Sequence, residues 1–204
     1  PVRNLLDTGL PFSYAILPFK DASKEVLQLV KDKGRTALLD LPLEPNDPSD
    51  ITEDRKTILT SMSEPQVQTM VNSALAALPG VEGVINYQGS KATADQRTMT
   101  SVLGVVKEKN LFFIDGATSA RSLVLQESGK LEIPAGKSSL YLGNRDSLDS
   151  FYEDLVEAAG LADRYGYVIV ICHGGPLAAR AWTLYGKELQ ESGITFVPVT
   201  DLIN

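Results

Sequence analysis

The sequence predicts a parallel α/β domain, and three observations carry that expectation. Short apolar runs alternate with helical patterns along the chain at an even pitch. Two of the runs, YVIVIC at 167–172 and LFFID at 111–115, are almost continuously apolar, as befits strands covered on both faces. Glycines recur where helical patterns stop, at Gly34, Gly80, Gly166 and Gly193, where a left-handed residue often closes a helix.

Taken in order, strands are expected at 12–17, 36–41, 82–86, 111–115, 138–142, 167–172 and 194–199. Helices are expected at 21–33, 64–78, 95–109, 118–128, 146–164 and 176–192. Ser63-Glu64-Pro65 supplies an N-cap and a first-turn proline, and Asp21 and Asp146 are further candidate caps. Seven strands with helices between them fit a deformed (β/α) barrel or an open parallel sheet, and the pattern alone does not separate the two. The irregular stretch 42–62 holds three of the 11 prolines, and a loop of that length within a domain is usually functional.

With 204 residues and no linker-like segment, the chain reads as one domain over 1–204. A hydrophobic content of 43% and a charged content of 22% are ordinary for a globular protein. The net charge of −7 argues against nucleic acid or an anionic membrane surface as the main partner. No apolar run approaches the ~18 residues of a membrane span, so membrane insertion is not expected. Residue 1 leads into VRNLLDTGLPF, which lacks a basic segment followed by an apolar one. Cys172 is the sole cysteine, which excludes an intrachain disulfide. Nothing in the pattern specifies an oligomeric state.

In parallel α/β folds, ligands sit beyond the carboxyl ends of the strands, so the polar residues there matter most. The second strand ends in Asp40 with Glu44 just beyond, and the third in Asn86 followed by Tyr87-Gln88-Gly89-Ser90. The fourth ends in Asp115, the fifth near Asn144 and Arg145, and the sixth in His173-Gly174-Gly175. Each residue also has an ordinary structural role. His173 fits a hydrogen-bonding residue, Asp115 a cap for helix 118–128, and Asn86 a turn former. Asp40 is harder to absorb, because a carboxylate closing an apolar strand has no cheap local partner. Their joint occurrence predicts one shared pocket.

Other chemistries fit less well. Cys172 and His173 are adjacent on a strand and point to opposite faces, so they cannot form a nucleophile–base pair. No G-x-S-x-G elbow is present, and GVEGV lacks the third glycine of a dinucleotide fingerprint. One cysteine and one histidine exclude CxxC and HExxH sites.

At these strand ends the sequence resembles the divergent polysaccharide deacetylase family. The similarity runs in order through GLPFSYAILPF, LLDLPLEP, GVINYQGSKAT, LFFIDGATS, YLGNRD, ICHGGP and GITFVPVTDLI. It implies a deformed (β/α) barrel of about seven strands, a divalent-metal site at the strand carboxyl ends, and an ancestral role in removing acetyl groups from glycans. It also implies a preceding strand ending in an Asp-Asp pair, before residue 1, and a bacterial cell-envelope or secreted location.

This sequence departs from the family's pattern at several positions. Asp40 stands where the family's His-Leu-Pro-Met-Glu-Pro has histidine, while Glu44 matches its glutamate. Tyr87 replaces the histidine of Asn-His-Met-Gly-Ser, and Gly143-Asn144 replaces Asp-Asn. Asp115 and His173 are kept. A carboxylate can replace imidazole as a ligand, but a phenol coordinates well only once deprotonated.

The resemblance therefore implies two classes of function. As a hydrolase, a metal on Asp40, Asp115 and His173 would polarise an acetyl carbonyl, with Glu44 or Asp115 as base and His173 as acid. As a degenerate member, the rim would hold a carbohydrate without turnover through Asn86, Tyr87, Ser90 and Asn144, with Tyr141 stacking beside them. The expected cofactor state is no tightly bound group, or a weakly held divalent cation.

Overall fold

The computed structural model describes residues 2–143 and 147–203. Asn144, Arg145 and Asp146, expected above at a strand end and a helix cap, lie outside the described residues. The chain packs into two compact units, one of residues 13–137 and one of residues 1–12 with 138–202. Both are α/β with parallel strands, as the alternating pattern predicts.

The larger unit carries a five-stranded parallel sheet in the order β1 (Tyr14–Ile16), β2 (Ala37–Leu43), β3 (Gly83–Gln88), β4 (Phe112–Asp115) and β5 (Ala135–Lys137). Its helices are α2 (Ser23–Asp32), α3 (Glu64–Ala77), α4 (Gln96–Glu108) and α5 (Val124–Lys130). Start signals in the sequence are used as chemistry demands. Ser63 and Gln66 form a reciprocal capping box on α3, and Asp95 accepts the Thr98 amide at 2.8 Å to cap α4. Gly34 and Gly80 follow α2 and α3 at positive φ.

The register settles which side chains share a face. Asp40 lies opposite Ile85, which lies opposite Ile114. Leu39, Val84 and Phe113 are each fully buried on the other face. Pro42 interrupts β2 without cost to the sheet because pairing with β1 stops at Leu39, so the missing N–H faces no neighbouring strand. The vacated edge is taken by the returning loop, where Ile58 N–H donates to the Pro42 carbonyl at 2.9 Å.

The smaller unit holds α1 (Val2–Asp7), the parallel pair β6 (Leu140–Leu142) and β7 (Val170–Cys172), α6 (Leu148–Tyr165) and α7 (Pro176–Glu191). Its core gathers around Trp182, whose ring meets Phe12, Phe151 and Phe196 at centroid distances of 5.0, 6.0 and 5.6 Å. Ser147 caps α6, and Gly166 ends it at φ +87°. Among the described residues no helix is long and apolar enough to cross a membrane.

Three expectations need correction, and two short elements were not expected. Residues 194–199 form no strand; Phe196 packs on Trp182, Pro198 removes a ladder donor, and a 3-10 turn follows at Val199–Asp201. The helix expected at 118–128 starts only at Val124, because Ala117 at φ +55° bends the chain first. Asp21 is not the cap of α2, whose N-cap position is Ala22. The strand β5 and the helix α1 were not expected, being short and without clear periodicity.

Candidate functional site

Asp40 is held in β2 between buried Leu39 and Leu41, and burial raises its carboxyl to about 7. The Arg55 guanidinium opposes that rise but does not cancel it. Arg55 ends a 3-10 turn, Glu53–Arg55, in the long loop, and its Cζ lies 4.8 Å from the Tyr87 ring centroid. Tyr87 follows Ile85 by two residues, so it occupies the same sheet face as Asp40. Asp40, Arg55 and Tyr87 thus form one group: a carboxylate, a fixed cation and an aromatic ring. The Arg55 Nε is buried and has no hydrogen-bond partner among the described residues.

Asn86 and Asp115 belong to the opposite face, each one residue beyond the Ile85–Ile114 pair. Both are buried, at 4% and 1% exposure, and both are spent on backbone. Asn86 Oδ1 accepts the Gly116 amide at 2.8 Å, and its Nδ2 donates to the Gln88 carbonyl at 2.7 Å. Asp115 Oδ1 accepts the Ala117 amide at 2.9 Å, which holds the turn after β4. Asp115 therefore caps a turn rather than a helix. It also cannot turn to one ion with Asp40, because strand alternation aims the two carboxylates to opposite faces of the sheet.

Glu44 is a brace. Its Oε2 accepts the Thr60 amide and hydroxyl at 2.5 and 2.6 Å, and its Oε1 pairs with Lys91 at 2.7 Å. Burial pushes the Glu44 carboxyl up, but the hydrogen bonds from Lys91 and Thr60 outweigh it and hold it below the usual range. A carboxylate kept ionised by three donors is a poor proton acceptor, so a general-base role for Glu44 has no support in this geometry. Ser90, expected to touch substrate, accepts the Asn46 amide at 2.9 Å and ties the same loop. Further ties come from Lys20 to Asp54 and from Lys56, which lies 4.3 Å from the Phe19 ring centroid. The stretch 42–62 is consequently an ordered, strapped loop that delivers Arg55.

In the smaller unit, His173 follows β7 and is exposed, with its ring edge-on to Tyr141 at 5.5 Å. Tyr141 pairs with Ile171, two residues before His173, so the two rings share a face. Cys172 points the other way, as adjacency on a strand requires, and burial pushes its thiol up. Asn144 lies outside the described residues.

The donor set can be tested against the metal that the resemblance implies. Within the larger unit, among the described residues, no three His, Cys, Asp or Glu side chains gather closely enough to hold an ion. The unit contains no imidazole, and its one carboxylate on the Asp40 face already has a cationic neighbour. These residues do not by themselves fit a transition-metal site.

The divergent polysaccharide deacetylase family matches residues 1–203. The chain belongs to this family. It is similar to the uncharacterized protein YibQ of Escherichia coli, at 24% identity over 94% of this chain and 59% of the relative. It is also similar to an uncharacterized protein of Haemophilus influenzae, at 32% identity over 80% of this chain and 58% of the relative. The chain thus spans under two thirds of the length of these curated relatives. Among solved structures, an uncharacterized protein of Agrobacterium tumefaciens superposes with a TM-score of 0.90 at 22% identity, covering 98% of this chain and 82% of that one. A mutant of a CE4 family pseudoenzyme superposes with a TM-score of 0.50 at 12% identity, covering 98% and 61%. These likenesses establish the deacetylase-like α/β fold.

Sequence reasoning missed Arg55, although it singled out the loop that carries it. An arginine within a proline-rich loop beside a carboxylate-ended strand was the available signal. It also missed Thr60 and Lys91, whose role depends on a fold that returns the loop to Glu44.

Proposed function

We propose that this deacetylase-family chain holds a glycan at the carboxyl ends of β2 and β3 without metal-dependent turnover. The observation that carries the reading is the Arg55 guanidinium, set over Tyr87 and close enough to Asp40 to oppose its rise. Asp40 and Tyr87 stand where the family resemblance expects two imidazole ligands. A resident guanidinium there supplies fixed positive charge in a site that would otherwise need a metal ion, but it cannot present an activated water. The arrangement suits recognition of ligand oxygens. Arg55 and Tyr87 are both half-buried, so a guanidinium fork and an aromatic face lie within a ligand's reach.

The test pairs binding with turnover. Acetylated N-acetylglucosamine oligomers are titrated calorimetrically into the protein, and acetate release is measured with and without added zinc. Binding without acetate release, weakened at least about tenfold by Tyr87→Ala, supports the reading. Zinc-dependent acetate release by the parent protein sinks it.

A further inference from the structure

A second feature of the larger unit is a cleft of about 260 Å³ lined by Asn46, Thr60, Lys91, Ala94, Asp95 and Arg121. This is below the roughly 300–1,000 Å³ of sites for drug-sized ligands and suits a single sugar ring. Ala94 is the only apolar side chain among the six. The walls are set before any ligand arrives: Asn46 is tied to Ser90, Thr60 to Glu44, Lys91 to Glu44, and Asp95 to the start of α4. Such pre-fixing lowers the ordering cost of binding.

The protein carries −7 overall, and in the cleft Lys91 is paired with Glu44 behind the wall while Asp95 lies on it, so Arg121 is the lining cation left to meet a ligand's acid group. Lys91 spends one of its three donors on Glu44 and keeps two. Arg121 is exposed, and its guanidinium makes no hydrogen bond or ion pair among the described residues. A planar guanidinium fork beside an ammonium matches a carboxylate or phosphate, while an amide, a hydroxyl and a carboxylate match ring hydroxyls.

We propose that this cleft is a subsite for an anionic sugar unit, with its acid group on Arg121 and its hydroxyls on Asn46, Thr60 and Asp95. The proposal rests on the glycan reading for the sugar ring only; the acid group is assigned by Arg121. Uronic acids and phosphorylated sugars share this chemistry.

Calorimetric titration with glucuronic acid, glucose 6-phosphate, glucose and inorganic phosphate tests it, at about 20 and 200 mM salt. Glucuronic acid or glucose 6-phosphate is expected to bind at least about tenfold more tightly than glucose, and which of them binds identifies the source. Arg121→Ala should weaken that binding by about tenfold, as should the higher salt. Asp95→Asn should tighten it, since asparagine still caps α4 while the opposing charge is gone. Arg55→Met should leave it unchanged, which separates failure of this cleft from failure of the Asp40 group. Equal binding of glucose, equal binding of inorganic phosphate and glucose 6-phosphate, no binding of either acid sugar, or loss in Arg55→Met rather than in a folded Arg121→Ala would each overturn the proposal.

Discussion

The guanidinium of Arg55 lies 4.8 Å from the centre of the Tyr87 ring. Residues 32 positions apart in sequence are joined because the loop after β2 doubles back and is strapped at Ile58, Thr60 and Asn46. That contact gives the Asp40 face a resident cation, and its consequences can be measured.

Removing the cation should raise the Asp40 pKa further. Arg55 is the one group that lowers it against burial, so in Arg55→Met the midpoint should move above its present value of about 7. Carboxyl-carbon NMR titration reads this directly; a midpoint that falls or stays put would show that Arg55 does not act on Asp40.

Stability should depend on pH through the same group. The folded midpoint, near 7, lies above the ordinary value of 3.8, so the folded state binds the proton more tightly than the unfolded state. Its contribution is fully present below about pH 4 and is lost as pH rises through 7. Asp40→Asn should abolish this slope and leave the variant about 1–3 kcal/mol more stable than the parent at pH 8, less whatever Arg55 loses in its partner. Urea midpoints at pH 4 and pH 8 decide it.

Much of the fold was legible because helix starts and buried strands are written in local chemistry. Ser63-Glu64-Pro65 and the apolar LFFID needed no tertiary knowledge. What failed were places where neighbours decide: Phe196 belongs to the Trp182 cluster rather than to a strand, and Asp115 holds a turn instead of a helix. The candidate site was legible as a set of residues near strand ends, but β2 runs on to Leu43 and leaves Asp40 mid-strand, and a position in the sequence says nothing of face. Register sends Asp40 and Tyr87 to one side and Asn86 and Asp115 to the other, and only the paired strands show it.

Glu44 should matter to stability more than to chemistry. Its carboxylate accepts from Thr60 twice and from Lys91; Glu44→Ala leaves the two half-buried Thr60 donors without their acceptor while exposed Lys91 returns to water, and should cost about 1–3 kcal/mol. Hydrogen exchange at the Thr60 amide should speed up together with that of the 42–62 loop. Because the Glu44 pKa is held low, its contribution should be present above about pH 4.5 and be lost as pH falls through the folded value. A fully stable Glu44→Ala protein would remove the brace from the account.

Asn86→Ala should cost about 1–2 kcal/mol, since it leaves the half-buried Gly116 amide without its partner and takes one of two donors from the Gln88 carbonyl, which keeps the Thr118 hydroxyl. Thermal or urea unfolding measures it. A loss below about 0.5 kcal/mol would mean that water replaces the side chain and that Asn86 is available to a ligand.

Arg55 supplies the positive charge on the Asp40 face, and calorimetric titration with zinc at neutral pH shows whether a metal ion can take that place. No binding tighter than about 100 µM is expected in the parent protein, because the Asp40 face offers one carboxylate beside a fixed cation and few soft or nitrogen donors. Stoichiometric zinc binding with sub-micromolar affinity, lost in Asp40→Ala, would contradict this and make a metal-dependent hydrolase the better reading.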